Sequence, residues 1–369
     1  MNNPCGLYIH IPFCTSKCLY CDFFSKLQNA EEINTYISNL LRIISYYGEL
    51  YSEKIFDTIY IGGGTPSIVG TDNLATIINK AKSCFNIVSS EITIEMNPNS
   101  AQFMDFEKLK RLGVNRISLG VQSSNQEELK LLGRTHNNDD VIKAINKIKN
   151  AGIDNISLDL MIGISKQTKQ SLIKSMDFCI ECDAKHISAY ILKVEDNTPY
   201  KRLVPILNLP DEDQQAELYE LMQSYLSKNG YSQYEISNFA LKNFESHHNI
   251  KYWNCDEYLG LGASAHSMMN GKRFYFPRNF SDFYNNKIIY DGEGATPQEY
   301  IMLRLRLADG ISFGEYEKRF KMPFPKHCIK TAEKYSRYGF TELTKYGIRL
   351  TGKGFLVSNA IMAEMLIDD

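Results

Sequence analysis

The chain has 369 residues, and its 41 basic and 43 acidic side chains give a formal net charge of −2. That balance excludes a strongly basic nucleic-acid footprint, and a chain that is 43% hydrophobic and 23% charged reads as globular rather than disordered. No run approaches the roughly 18 apolar residues of a membrane span, and the first five positions lack a signal-peptide pattern. A cytoplasmic protein with no nucleic-acid partner is expected.

In chain order, β-rich runs fall at 7–11, 55–61, 91–95, 116–121, 155–162 and 186–192. Helical periodicity follows several of them, at 33–47, 73–85, 141–150 and 171–182. Asp72 is placed to cap the second helix, and Gly113 and Gly152 to end helices just before strands. Strands alternating with helices predict βαβ units and a parallel sheet, either an open (β/α)6 barrel or a doubly wound sheet. A proline-bounded connection at 205–210 leads into an acidic helix from Asp211 to about Asn229. Residues 230–290 are rich in aromatics and glycine, a segment expected to cover a core or line a pocket. Beyond 296 the pattern is helix, helix, helix, short strands, helix, which predicts a small, mainly helical, winged-helix-like domain. The expected division is therefore 1–205 as the α/β core, 206–290 as the covering segment and 291–369 as the C-terminal domain.

The nine cysteines are an odd count, and in a reducing compartment they do not suggest a disulfide framework. Cys14, Cys18 and Cys21 form C-x3-C-x2-C just after the first strand. Three such thiolates can hold three irons of a cubane and leave the fourth iron open. Zinc is the other soft-ligand choice, but it wants a fourth Cys or His, and His10 in the preceding strand is the only close histidine. Three buried structural cysteines are the third reading. The second strand ends in the GGGTP run at 62–66, where glycines permit close backbone approach and offer N–H groups. The later strands carry Glu95, Gln122 and Asp159 at or near their C-terminal ends. Parallel strands share one C-terminal rim, so these residues and the cysteines are expected to converge. Cys179 and Cys182 form C-x2-C on a predicted helix and are read as core residues.

At this point the sequence resembles the radical S-adenosylmethionine (SAM) superfamily, whose hallmarks are the C-x3-C-x2-C loop and the glycine run. The resemblance implies a partial (β/α)6 barrel with a [4Fe-4S] cluster on Cys14, Cys18 and Cys21. In that superfamily SAM chelates the open iron, and the reduced cluster cleaves it to a 5′-deoxyadenosyl radical, the hard chemistry being the cofactor's. The runs YIHIPFC at 8–14, RISLGVQ at 116–122, GRTH at 133–136, HISAY at 186–190 and YEISN at 234–238 look like the oxygen-independent coproporphyrinogen III oxidase group, as does LTGKG at 350–354. By this resemblance SAM would be contacted by Tyr8, Tyr20, Gly63, Gly64, Thr65, Glu95, Gln122, Arg134 and Asp159, with Arg134 suited to its carboxylate.

Two departures point away from the oxidase. Phe23 stands where that enzyme has a further cysteine, and only thirteen residues precede Cys14, so the oxidase's N-terminal extension is not expected. HNIKYW at 248–253 fits H-N-x-x-Y-W, a pattern of the heme chaperones within the group. The resemblance implies heme binding at His248, Tyr252 and Trp253, and delivery to an acceptor protein, for instance a membrane-associated respiratory protein. Imidazole and thiolate are both credible ligands of heme iron, which keeps His247 and Cys255 beside His248 as candidates. The alternative for His248 is a hydrogen-bonded loop residue closing the barrel. Coproporphyrinogen decarboxylation, another radical reaction on a tetrapyrrole and a purely structural cluster are the competing functions. The turn at 163–168 (GISKQT) lacks the proline of the group but keeps Gln167 and Thr168, and is expected to form without it.

Overall fold

The computed structural model describes residues 3–27 and 29–367. Its core runs β1 (Cys5–Ile11), α1 (Ala30–Leu50), β2 (Ile55–Gly63), α2 (Gly70–Cys84), β3 (Asn86–Met96), α3 (Phe106–Arg111), β4 (Arg116–Gln122), α4 (Asn138–Asn150), β5 (Asn155–Ile162), α5 (Lys169–Glu181) and β6 (His186–Ile191). The six strands pair in that order and all in parallel. This is the partial (β/α)6 barrel.

Local chemistry explains the helix ends. Asn137 and Asp140 form a capping box on α4, and Thr168 and Ser171 do the same on α5. Helices α3 and α4 end alike: Gly113 and Gly152 take φ of +89° and +76°, and the N–H groups of Val114 and Ile153 reach back to the carbonyls of Leu109 and Ile148. Glycine follows each helix because only it enters the left-handed region without cost. Asp72 does not cap α2. A short 3-10 turn over Pro66–Val69 runs straight into the helix, so Asp72 lies in the first turn and meets Lys108 at 2.6 Å. In the 163–168 turn, Gln167 takes the place of a proline brace. Its side chain accepts from the Gly163 N–H at 2.7 Å and donates to the Met161 carbonyl at 3.0 Å.

Strand alternation divides the sheet into two unlike faces. Leu7, Ile9, Ile59, Ile61, Ile92, Ile94, Ile117, Leu119 and Leu158 are fully buried and pack with Leu40, Ile43 and Ile44 of α1 in one apolar core. Burying each such side chain stabilises the fold by roughly 1.5–3 kcal/mol. The opposite face carries Tyr8, His10, Tyr60, Glu95, Arg116, Ser118, Ser157, Asp159 and His186, and it curls around a polar lumen.

Both edges of the parallel core are extended. After α6 (Glu212–Lys228), β7 (Ser232–Glu235) and β8 (Asn238–Ala240) form a hairpin whose β8 pairs antiparallel with β6. After α7 (His247–Trp253), β9 (Tyr258–Leu261) pairs parallel with β1, and β10 (His266–Met269), β11 (Lys272–Tyr275) and β12 (Ile289–Glu293) continue outward. The result is a 12-stranded sheet. Much of the segment expected to cover the barrel is thus part of its sheet. The physical reason is that an open parallel core leaves unpaired N–H and C=O rows at both edges, which these short aromatic strands satisfy. The C-terminal part begins with α8 (Pro297–Arg304) and places three short antiparallel strands, at 311–312, 347–350 and 341–344, among four further helices. Among the described residues no helix is long and apolar enough to cross a membrane.

Gly152→Ala isolates the left-handed helix end, because a Cβ there would meet nothing within 4 Å. The substitution should cost about 1 kcal/mol by backbone strain alone, and Gly152→Asn less. Urea unfolding midpoints of the two variants measure the difference.

Candidate cofactor site at the strand ends

The cysteine loop leaves β1 through Phe13–Cys14, which pairs in parallel with Lys26–Leu27 and so closes the loop at its base. Three contacts pin it from outside. His10 Nε2 lies 3.1 Å from the Phe24 carbonyl, Leu19 N–H donates to the Leu132 carbonyl, and the Tyr20 hydroxyl accepts from Arg134 Nη2 at 2.7 Å. Cys14, Cys18 and Cys21 are free and partly buried. Burial pushes the Cys14 and Cys21 thiols up, while Thr65, 3.6 Å from Cys14 Sγ, favours the thiolate.

Each glycine of the 62–64 run has its own reason. A Cβ on Gly62 would stand 2.9 Å from the Glu95 carboxyl, one on Gly63 2.5 Å from the His10 ring, and one on Gly64 2.7 Å from the Phe13 carbonyl and 3.1 Å from Cys14 Sγ. Gly63 also has φ of +116°. The expectation that this run offers free N–H groups is corrected. Gly63 N–H donates to Glu95 Oε2 at 3.0 Å, Gly64 N–H to the Ile11 carbonyl and Thr65 N–H to the Phe13 carbonyl. The run lets three elements close on one another, and those closures use its donors.

Among the described residues no three His, Cys, Asp or Glu side chains converge as the ligands of a single ion do. Three thiolates on one pinned loop are a donor set that fits an iron–sulfur cluster, in which each sulfur would meet its own iron. The space beside Cys14 that a side chain at 64 would fill belongs to the same cradle.

The lumen wall next to this loop is a connected set of titratable groups. His10 Nε2 faces a carbonyl, so it carries the proton, and Nδ1 accepts from the Tyr8 hydroxyl at 2.9 Å. Burial holds the His10 ring neutral, with its pKa down at about 4. Glu95 accepts from the Tyr60 hydroxyl at 2.7 Å and from Gly63, yet burial raises its pKa to about 7. Asp159 accepts from Ser118 at 3.0 Å and is raised to about 6, again chiefly by burial. The charge of Asp159 adds to the rise at Glu95, and the charge of Arg134 reaches both Asp159 and Cys14. Gln122, at φ +68°, sits on the rim above Arg134. Tyr8, Tyr20, the glycines, Thr65, Glu95, Gln122, Arg134 and Asp159 thus share one end of the barrel.

The HNIKYW segment lies at the other end. Glu91 of β3 accepts from the N–H groups of His247 and His248 at 3.1 and 3.2 Å, which anchors the positive start of α7 on a carboxylate. Lys251 pairs with Asp57 at 2.7 Å and donates to the Pro4 carbonyl. His248 is thereby inserted into the strand-N-terminal end of the lumen, 1% exposed. Its Nδ1 meets Thr58 at 2.7 Å, its Nε2 meets Tyr252 at 2.8 Å, and its ring stacks on Tyr60. This is the barrel-closing geometry for His248. Cys255 is buried with its thiol pushed up to about 12, and His247 is exposed. Tyr252, whose hydroxyl reaches His248 in the lumen, also borders with Trp253 a cavity of about 500 Å³ that is lined by Tyr190, Glu235, Asn238 and Arg306. Residues from both flanks of the sheet line it, so it sits at the seam where the partial barrel stays open.

A parallel β/α half-barrel with a cysteine loop after β1, a glycine turn after β2 and polar strand ends defines a radical SAM protein, and residues 8–179 match the radical SAM superfamily. Members of that superfamily carry a [4Fe-4S] cluster and SAM. Residues 296–357 match the HemN C-terminal domain. The fold is that of the coproporphyrinogen III oxidase HemN from Escherichia coli, a radical SAM enzyme, with a TM-score of 0.85 at 20% identity over 99% of this chain and 90% of that one. The heme chaperone HemW of Lactococcus lactis is 33% identical over 100% of this chain and 99% of its own length. HemW of Buchnera aphidicola (subsp. Schizaphis graminum) is 35% identical over 93% and 95%. The chain belongs to the HemW family.

Sequence reasoning missed several residues of these two regions. Tyr60 and Arg116 could have been found by strand parity, since they alternate in register with Tyr8, Glu95 and Ser118. Glu235 lies inside the YEISN run, yet nothing local to it or to Arg306 points to the seam, which they reach from a hairpin and from the C-terminal part.

Glu95 yields a pH test. Its folded pKa of about 7 lies above the ordinary 4.5, so the stability it contributes is present in acid and is lost as pH rises through about 7. Glu95→Gln should therefore gain on the wild type between pH 5 and pH 8, by roughly 1–3 kcal/mol. Urea melts at both pH values decide it; a difference independent of pH would remove Glu95 as a strained carboxyl.

Proposed function

We propose that this protein is a heme chaperone: it binds heme and passes it to an acceptor protein, while carrying a [4Fe-4S] cluster and SAM. The observation that carries this reading is its likeness, over nearly the whole chain, to proteins named heme chaperones. Cys14, Cys18 and Cys21 would hold the cluster. Tyr8, Tyr20, Gly63, Gly64, Thr65, Glu95, Gln122, Arg134 and Asp159 would hold SAM. When bound, the two cofactors supply one-electron chemistry that no side chain provides. The chain's part is electrostatic. A cationic ligand stabilises the ionised forms of Glu95 and Asp159, which burial disfavours, and Arg134 can pair with a carboxylate in a fork.

For heme, the supporting feature is the cavity face of α7. Tyr252 and Trp253 offer flat aromatic surface to a planar macrocycle, and His248 fixes Tyr252 from inside the lumen. His248 thus acts as a positioning residue. The acceptor, for instance a membrane-associated respiratory protein, and a cytoplasmic site of action are part of the same proposal. Phe23, 66% exposed on the cysteine loop, stands against coproporphyrinogen oxidation, for which the related enzyme uses a cysteine there.

Two measurements on one anaerobically reconstituted sample test this. Heme should bind in a 1:1 ratio, and coproporphyrinogen III with SAM and reductant should stay unconverted; turnover to protoporphyrinogen would overturn the reading. His248→Ala should weaken heme severalfold without moving its Soret band, whereas a shifted band would make the imidazole the iron ligand. Cys18→Ser should abolish the iron–sulfur absorbance with far-ultraviolet dichroism preserved, and retained iron would rule out the triplet as its site.

A further inference from the structure

The seam cavity contains a cation, Arg306, that closes no ion pair among the described residues, although the field of buried Glu235 reaches it. Arg306 follows α8 and is half-buried, with its guanidinium carbon 5.6 Å from the centre of the Trp253 ring. Its Nε is buried with no hydrogen-bond partner among the described residues. Burial disfavours its charge. The neighbouring arginines are occupied: Arg304 pairs with Asp309 at 3.2 Å, and Arg273 pairs with Glu299 and donates to Tyr258. Around Arg306 further polar atoms also lack partners, namely Glu235 Oε1, Asn238 Oδ1 and Trp253 Nε1, and all three residues line the same cavity.

Leaving buried polar groups unpaired is expensive. A guanidinium held over an indole and turned toward a cavity of unpaired donors and acceptors suits an anionic group on a flat ligand. We infer that Arg306 receives a carboxylate of the macrocycle bound in this cavity, with the ring plane lying along Tyr252 and Trp253. The inference rests on the heme reading above and deepens it, since it makes a residue of the C-terminal part the one that distinguishes a tetrapyrrole acid from its neutral analogues. Glu235 does not oppose this. It is 0% exposed, burial raises its pKa to about 7, and in its protonated form it donates to a carboxylate instead of repelling it.

The test titrates the full-length, anaerobically reconstituted protein with heme and with heme dimethyl ester, in which both carboxylates are masked. Wild type should prefer heme on the order of tenfold, the effect of one charge-assisted pair. Arg306→Gln should bring heme down to the affinity of the ester and leave the ester unchanged, and Arg306→Lys should restore part of the preference. Unchanged cluster absorbance checks that each variant is folded. If wild type binds both forms equally, or if Arg306→Gln keeps the full preference, the assignment of Arg306 is overturned while the heme reading stands. If wild type binds neither form, both fall.

Discussion

The turn at Gly62–Gly64 is the constraint on which the cofactor end of the barrel depends. Three structures meet there at distances no Cβ allows: the Glu95 carboxyl, the His10 ring, and the Phe13 backbone at the base of the cysteine loop. Because the turn approaches so closely, the N–H groups of Gly63, Gly64 and the following Thr65 can bind Glu95, Ile11 and Phe13 in turn. The loop, the lumen carboxylate and the neutral histidine are therefore positioned by one piece of backbone. A side chain at any of the three positions would displace the neighbour it meets: Glu95 from 62, His10 from 63, Phe13 from 64.

The lumen behind that turn is held by neutral hydrogen bonds more than by ion pairs. Tyr60 and Gly63 donate to Glu95, Ser118 donates to Asp159, and Tyr8 donates to His10. Burial outweighs these bonds at both carboxyls, whose pKa values stay raised. Such a wall is poised for a cation, because an arriving positive charge relieves a cost already present in the fold. Arg116 does not remove this cost. It is 1% exposed and spreads its field over Glu91, Tyr60, Tyr234 and Asp159 without closing an ion pair on either raised carboxyl.

Much of this was legible in the sequence because it is local. Period-two strands, helix stops at Gly113 and Gly152, the start of the acidic helix at Asp211 and the cysteine spacing are all fixed within a few residues, and the structure places them there. What was not legible depends on long-range closure. Asp72 loses its capping role to a 3-10 turn that begins the helix early. The donors of the glycine run look free until β3 and the cysteine loop arrive to use them. Much of 230–290 lacks helical periodicity because its short strands pair with the edges of a sheet made far earlier in the chain, and α7, at seven residues, is too short to show it. The HNIKYW run reads as one motif, yet helix geometry splits it. With 3.6 residues per turn, His248 and Tyr252 share a face toward the lumen, and Trp253 turns about 100° further round.

That split separates two tasks that a linear motif merges. The lumen side of α7 is fully bonded: Glu91 satisfies its first N–H groups, Thr58 and Tyr252 take both nitrogens of His248, and Asp57 takes Lys251. A group so completely satisfied is suited to holding the helix still. The cavity side is the reverse, with an indole N–H, a carboxyl oxygen and a guanidinium nitrogen left over. Native interiors rarely tolerate that many unpaired atoms around one space. The rigid side fixes where Tyr252 and Trp253 stand, and the residues after α8 bring Arg306 against them, so the site is complete only when the last part of the chain has packed onto the seam of the barrel.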